Sequence, residues 1–251
     1  MSGFLPVLKL GSFVLPTYFL ISSLAFIAGL FFLVRRSKTL RLSRNRSLDT
    51  ALVLMTTGFV GSRLFHVFFE EPSHYAEDPS RVFEVWRGGF VWYGGAILGA
   101  LCSYAFLKWK REPVARYLDL FAPVGAFGYA MGRLACLFTG CCYGAVCILP
   151  GMRGGVEFRY PTQALAVVYE LVVLFILLKI ERRREDSNWF GRAGQLFALW
   201  LMLHGVGRIL MESLRGDPRG AFIGGLSIST WISIVLVVGS FIVLRHRARK
   251  M

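Results

Sequence analysis

Apolar runs of about 20 residues recur along the chain, at roughly 14–34, 49–69, 90–108, 118–138, 162–180, 193–211 and 226–244. A run of about 20 apolar residues is what a helix needs to cross the hydrocarbon core of a bilayer. In lipid each backbone polar group must be satisfied within its own segment or within a closed barrel, and runs of this length select the helix. The pattern predicts an all-α polytopic membrane protein with seven transmembrane helices. No repeat, low-complexity tract or long linker interrupts the 251 residues, so one membrane domain spanning 1–251 is expected. The first run passes from Ala25 and Gly29 straight into Leu30, Phe31 and Phe32 without a cleavage pattern, and is read as a retained helix.

The formal net charge of +14 raises the question of nucleic acid, and the placement of the basic residues answers it. Segments 35–47, 108–116, 179–192 and 245–250 hold 19 of the 29 Lys and Arg. The alternate segments, namely the N-terminus, 70–89, 139–160 and 212–225, hold 7. Rich and poor segments alternate strictly across the runs, as the positive-inside rule requires. The N-terminus is therefore expected outside and the C-terminus in the cytoplasm, with anionic membrane lipid a secondary partner of the basic loops. No basic surface is interleaved with stacking aromatics, so no nucleic-acid partner is expected.

The remaining three basic residues, Arg63, Arg133 and Arg208, lie inside or at the edge of apolar runs. An arginine at the centre of a membrane helix costs about 2.5–3.5 kcal/mol even on the lenient insertion scales. Three such costs point to an anionic group held within or beside the bilayer, and phospholipid phosphate is the nearest abundant one. Arg63 has a second reading of equal weight, a partner on a neighbouring helix.

The densest polar segment closes the fourth run, Gly132-Arg133-Leu134-Ala135-Cys136-Leu137-Phe138-Thr139-Gly140-Cys141-Cys142-Tyr143-Gly144. Trp92-Tyr93-Gly94-Gly95 opens the third, Tyr160-Pro161-Thr162-Gln163 enters the fifth, and Gly207-Arg208 with Glu212 and Arg215 leaves the sixth. All four fall on the outward side under the charge-derived topology. The outward segments Glu70–Gly89 and Thr139–Tyr160 are long enough to build a small extracytoplasmic head. Gly99 and Gly128 are read as helix-packing glycines, whereas Gly94, Gly95, Gly140 and Gly144 sit at span ends, where close approach to a headgroup is an equal alternative.

On these blocks, together with Gly61-Ser62-Arg63 and the stretch Asp78 to Gly89, the chain resembles the phosphatidylglycerol:prolipoprotein diacylglyceryl transferases of bacteria, from about Tyr18 to Arg215. The resemblance implies transfer of a diacylglyceryl group from phosphatidylglycerol to the lipobox cysteine of a prolipoprotein signal peptide, with release of glycerol 1-phosphate, in the cytoplasmic (inner) membrane. It implies that Arg133 and Arg208 hold the phospholipid headgroup, that Gly144 is the essential glycine ending the signature, and that Tyr18 is the functional N-terminal tyrosine. Tyr93 is expected to line the catalytic site with Tyr18, and Arg63, Gly94, Gly95, Cys136, Gly140, Cys141, Gly144, Gln163 and Glu212 are the candidate substrate-binding residues. Independently of the family, breaking a carbon–oxygen bond to phosphate leaves an anionic phosphomonoester, which fixed guanidinium donors stabilise as its charge develops. That chemistry calls for no metal or cofactor.

Two departures stand out. The family's His-Gly-Gly reads Tyr93-Gly94-Gly95 here, and a tyrosine with an ordinary pKa of about 10 is a poor base at neutral pH. In the family's Gly-Arg-x-Gly-Asn-Phe-x-Asn-Gly-Glu-x-x-Gly signature, Cys136 and Thr139 replace the asparagines and Cys141 the glutamate. The acceptor is thus a lipobox thiol by family default, with another thiol, hydroxyl or lipid as the enzyme alternative. A non-catalytic lipid-binding helper is the rival class. A secondary transporter is disfavoured, because paired half-repeats and broken central helices are absent.

Among the cysteines, Cys102 reads as an apolar filler. For Cys136, Cys141, Cys142 and Cys147 the readings are a disulfide from Cys141 or Cys142 to Cys147, a reactive thiol favoured by Arg133, inert packing, or, least of all, a metal site. His66 and His204 read first as hydrogen-bonded helix contacts, His204 keeping the larger functional share because it lies one turn from Arg208. His74 and His246 read as solvated.

Overall fold

The computed structural model describes residues 7–10, 13–147, 158–183, 192–216 and 222–248. Pro150, Gly154 and Gly155 of the expected head, and much of the basic segments 179–192 and 245–250, lie outside the described residues. Among the described residues eight α-helices carry the fold: α1 Thr17–Thr39, α2 Arg44–Phe65, α3 Pro72–Glu77, α4 Trp92–Trp109, α5 Val114–Thr139, α6 Thr162–Arg182, α7 Gln195–Ser213 and α8 Ile228–Ala248. Among the described residues the β structure is three two-stranded antiparallel pairs, β1 Val7–Leu10 with β2 Phe13–Pro16, β3 Val146–Cys147 with β4 Phe158–Arg159, and β5 Phe222–Ile223 with β6 Leu226–Ser227, and one isolated bridge between Gly144 and Arg215.

Six of the helices, α1, α2 with its π-helical continuation His66–Glu70, α5, α6, α7 and α8, are long and apolar enough to span a membrane. Their surfaces expose Phe19, Ile27, Phe31, Phe175 and Val235, an arrangement that suits lipid and not water. The protein is therefore a helical, polytopic membrane protein. Helix α4 matches the expected third run but is only 18 residues long and carries Trp92, Tyr93, Ser103, Tyr104 and Lys108.

The described residues form two compact units, Leu33–Tyr117 and the pair of segments Met1–Phe32 and Leu118–Met251. In the first unit α2 and α4 lie antiparallel and close, because both present glycines. A Cβ on Gly94 would run into the Gly61 carbonyl and Phe65, and one on Gly95 into Gly58 and Ser62. Gly94 and Gly95 are buried against α2, so their small size serves the helix contact, as does that of Gly99.

The same unit contains the expected outer loop, which is ordered into α3 and two 3₁₀ turns, Pro79–Phe83 and Val85–Arg87. Arg63 holds it. Its Nε donates to the Val82 carbonyl (3.1 Å), Nη2 to those of Arg81 (2.7 Å) and Glu84 (3.4 Å), and Nη1 to those of Gly88 and Gly89 (3.1 Å). The guanidinium also faces the rings of Tyr75 and Phe90 at 5.2 and 5.8 Å.

In the second unit Ala126, Val173, Leu177, Leu196 and Leu199 make a buried cluster joining α5, α6 and α7. Asp119, 1% exposed, accepts from the backbone N–H of Gly194 (2.7 Å) and Phe197 (3.0 Å), so a carboxylate caps the positive end of α7. Tyr169 donates its hydroxyl to the Leu203 carbonyl (2.7 Å) and lies over Gly207, where a Cβ would strike its ring. These contacts fix α7 against α6, and with it the height of Arg208.

Candidate functional site

Helix α5 ends as its sequence demands. Gly140 takes φ +74° and its N–H bonds the Cys136 carbonyl (2.9 Å), a helix stop that favours glycine. The chain then turns through Cys142, whose φ of +59° is strained for a residue with a side chain. The neighbours impose that strain. Thr162 Oγ1 donates to the Cys142 carbonyl (3.0 Å) and Gln163 Nε2 to the Cys141 carbonyl (2.7 Å). Ala145 N–H donates to the Leu214 carbonyl (2.8 Å), Gly216 N–H to that of Tyr143 (3.3 Å), and Tyr160 N–H to that of Ala145 (3.1 Å). Gly144 bridges to Arg215, and a Cβ there would collide with the Tyr160 main chain. Main-chain bonds thus knot the end of α5 to the start of α6 and the end of α7.

The knot brings together three guanidiniums. Arg133, Arg208 and Arg215 line one small recess with Tyr129, Cys142, Thr162, Ala166 and Met211. Arg133 lies over the Tyr129 ring at 4.9 Å. Arg208 donates to Glu212 (3.2 Å), and Arg215 approaches the same carboxylate at 3.9 Å. Glu212 is also engaged by the Ser227 hydroxyl (2.6 Å). None of the described lining residues is a carboxylate, so the recess is positive and suited to a phosphate.

Tyr18, at the start of α1, lies in the neighbourhood of Arg133, Cys136, Cys141 and Cys142. The structure therefore groups Tyr18, Arg133, Cys136, Gly140, Cys141, Gly144, Gln163, Arg208 and Glu212 in one unit. Arg63, Tyr93, Gly94 and Gly95 belong to the other, where Tyr93 packs edge-on to Trp92 at 5.4 Å.

All five cysteines are free thiols. The disulfide considered from Cys141 or Cys142 to Cys147 is not formed: Cys147 sits in β3, paired with Phe158, while the sulfurs of Cys136, Cys141 and Cys142 lie within 4.8 Å of one another. That spacing makes this trio the residues able to hold a soft metal ion, which the sequence spacing did not suggest. A hydrogen bond with Cys136 pulls the Cys142 thiol below the ordinary range against the opposing effect of burial, and Arg133 and Arg215 add to the pull.

Sequence reasoning missed Tyr129, Tyr169 and Glu170 as site residues. Tyr129 was findable as an aromatic one turn before Arg133. Glu170 was findable as a carboxylate inside the apolar stretch Leu165–Ile180, by the argument applied to the arginines.

A family model described as prolipoprotein diacylglyceryl transferase matches residues 6–245. A Clostridium tetani protein named phosphatidylglycerol–prolipoprotein diacylglyceryl transferase is 32% identical over 240 residues, covering 91% of this chain and 92% of its own. Proteins of the same name from Streptococcus pneumoniae and Symbiobacterium thermophilum are 30% and 29% identical, covering 97% and 84% of this chain and 94% and 82% of their own. The match runs through both compact units and takes in the arginine recess and the knot beside it, and the chain belongs to the prolipoprotein diacylglyceryl transferase family.

Proposed function

We propose that the protein is a membrane transferase that moves the diacylglyceryl group of phosphatidylglycerol onto the lipobox cysteine thiol of a prolipoprotein. The convergence of Arg133, Arg208 and Arg215 on one recess carries the reading. The acceptor enters as a thiolate, its proton given up to water, and its ionisation is favoured by the positive surroundings. Its sulfur attacks the terminal glycerol carbon of the diacylglyceryl group. The carbon–oxygen bond breaks, and the electron pair leaves with the phosphate oxygen as glycerol 1-phosphate. Charge grows on that phosphate as the bond breaks, and Arg133 and Arg208 meet it with fixed donors. Tyr18 borders this site, Gly140 and Gly144 shape its backbone, and a role for Tyr93 rests on the family pattern alone.

The proposal includes seven spans with α4 as the third, one functional domain over 1–251, and placement in the bacterial cytoplasmic membrane. The N-terminus lies outside, the C-terminus inside, and the recess toward the outer face, supported by the alternation of basic segments. The test incubates the protein with phosphatidylglycerol and a lipobox peptide, following peptide mass and released glycerol phosphate. Diacylglyceryl peptide formed by the wild type and lost with Arg133→Ala supports the reading. Glycerol phosphate released with the peptide unmodified replaces the acceptor, and no release overturns the transferase assignment.

A further inference from the structure

Glu170 of α6 is 2% exposed and is the carboxylate within an apolar stretch of the helix, Leu165–Leu178. One carboxylate oxygen, Oε1, is hydrogen-bonded to Nδ1 of His204 on α7. The other, Oε2, is buried and has no hydrogen-bond partner among the described residues. An unpaired buried carboxylate oxygen is costly, because water has been removed from it and nothing has replaced the water.

Glu170 lines a small recess with Tyr129, Tyr169, Gly207, Arg208 and Met211. This space adjoins the arginine recess, sharing Tyr129, Ala166, Arg208 and Met211 with it. His204 occupies Oε1, so Oε2 is the oxygen with bonding capacity left to offer. The His204 ring is itself held edge-on to Tyr129 at 4.6 Å, which fixes the orientation of the pair. The combined space therefore has a cationic end and, beyond Arg208, a single strong acceptor. A bound phosphate at the first end leaves its ester substituent at the second, and a carboxylate there calls for a hydroxyl.

Resting on the phosphate-binding reading above, we infer that Glu170 Oε2 accepts a hydrogen bond from a hydroxyl of the alcohol esterified to the bound phosphate, so that the site selects a polyol phosphate ester. The glycerol headgroup of phosphatidylglycerol and free glycerol phosphate both have this chemistry. Phosphatidic acid and ethyl phosphate have the phosphate without the hydroxyl.

The experiment measures binding of both pairs to the full-length protein in nanodiscs. The wild type is expected to prefer phosphatidylglycerol over phosphatidic acid by about tenfold or more, the scale of one hydrogen bond to a charged group. A matching preference for glycerol 1-phosphate over ethyl phosphate extends the selection to the free ester; its absence confines the selection to the lipid source. Glu170→Gln, nearly isosteric, should shrink the preference to less than about threefold while phosphatidic acid still binds as to the wild type, which also reports an intact fold. Equal wild-type binding within both pairs overturns the proposal, as does a Glu170→Gln protein that keeps the full preference. Should that variant not fold, the wild-type comparison alone decides. Arg133→Ala and Arg208→Ala should weaken all four ligands alike; if neither does, the phosphate reading itself has failed, and that result is distinct from a lost preference.

Discussion

Arg63 and the trio Arg133, Arg208 and Arg215 present the same side chain in similar apolar helices and put it to opposite uses. Arg63 directs its Nε, Nη1 and Nη2 donors at main-chain carbonyls of residues 81–89. The trio is arranged around a space, with Glu212 drawing on Arg208 and Arg215 from beside it. An arginine in a membrane helix is thus not by itself a ligand site. What separates clasp from site is whether the chain supplies the acceptors, and here it supplies them in one unit and leaves room for a ligand in the other.

The sharpest way to break this comparison is by substitution on both sides. Arg133→Ala or Arg208→Ala should lower turnover by about 10²–10³-fold, the usual loss for a donor aimed at developing charge, read as released glycerol phosphate. Arg63→Ala should instead strip the loop 81–89 of its donors and cost on the order of 3 kcal/mol of stability, read as a lower melting temperature and faster proteolysis within 72–90. A stable Arg63→Ala protein without turnover would turn the clasp into a ligand site. Gly144→Ala tests the knot that holds the trio in place. The added Cβ meets the Tyr160 main chain, and a loss of about 1–3 kcal/mol is expected, with a drop in turnover that follows Arg215.

The smallest effect sharpens the electrostatics of the recess. Because the Cys142 thiol is held below the ordinary range, its thiolate persists as pH falls from 8 toward neutrality, where an ordinary thiol, with a pKa of about 8.5, is mostly protonated. Cys142 should therefore be alkylated several-fold faster than Cys147 at pH 7, by peptide mass mapping. Arg133→Ala should narrow the gap at pH 7 and leave it unchanged well above pH 9.

Much of this architecture was legible because lipid imposes simple rules. The runs 14–34, 49–69 and 118–138 correspond to α1, α2 and α5 to within about five residues at each end, since a helix in a bilayer has few alternatives. The four polar segments were legible as segments, and three of them meet in the knot and recess. Their geometry was not. The convergence of Cys136, Cys141 and Cys142 depends on Cys142 adopting a left-handed backbone, which no propensity favours for cysteine. Glu170 is visible in the sequence as a lone carboxylate in an apolar run, but its meaning appears only when its partner His204 and the space beside Arg208 are seen together.

The knot of residues 140–147 has a consequence for how such a protein changes over generations. Its shape is set by main-chain bonds, by the tight fit of Gly144 and by two donors from Thr162 and Gln163, all independent of the side chains at 136, 139 and 141. Those three positions can therefore exchange amide and carboxylate for thiol and hydroxyl while the backbone keeps its course. Scaffold and reagent are separable here, so that the chemistry beside the recess can be rewritten without first rebuilding the backbone that carries it.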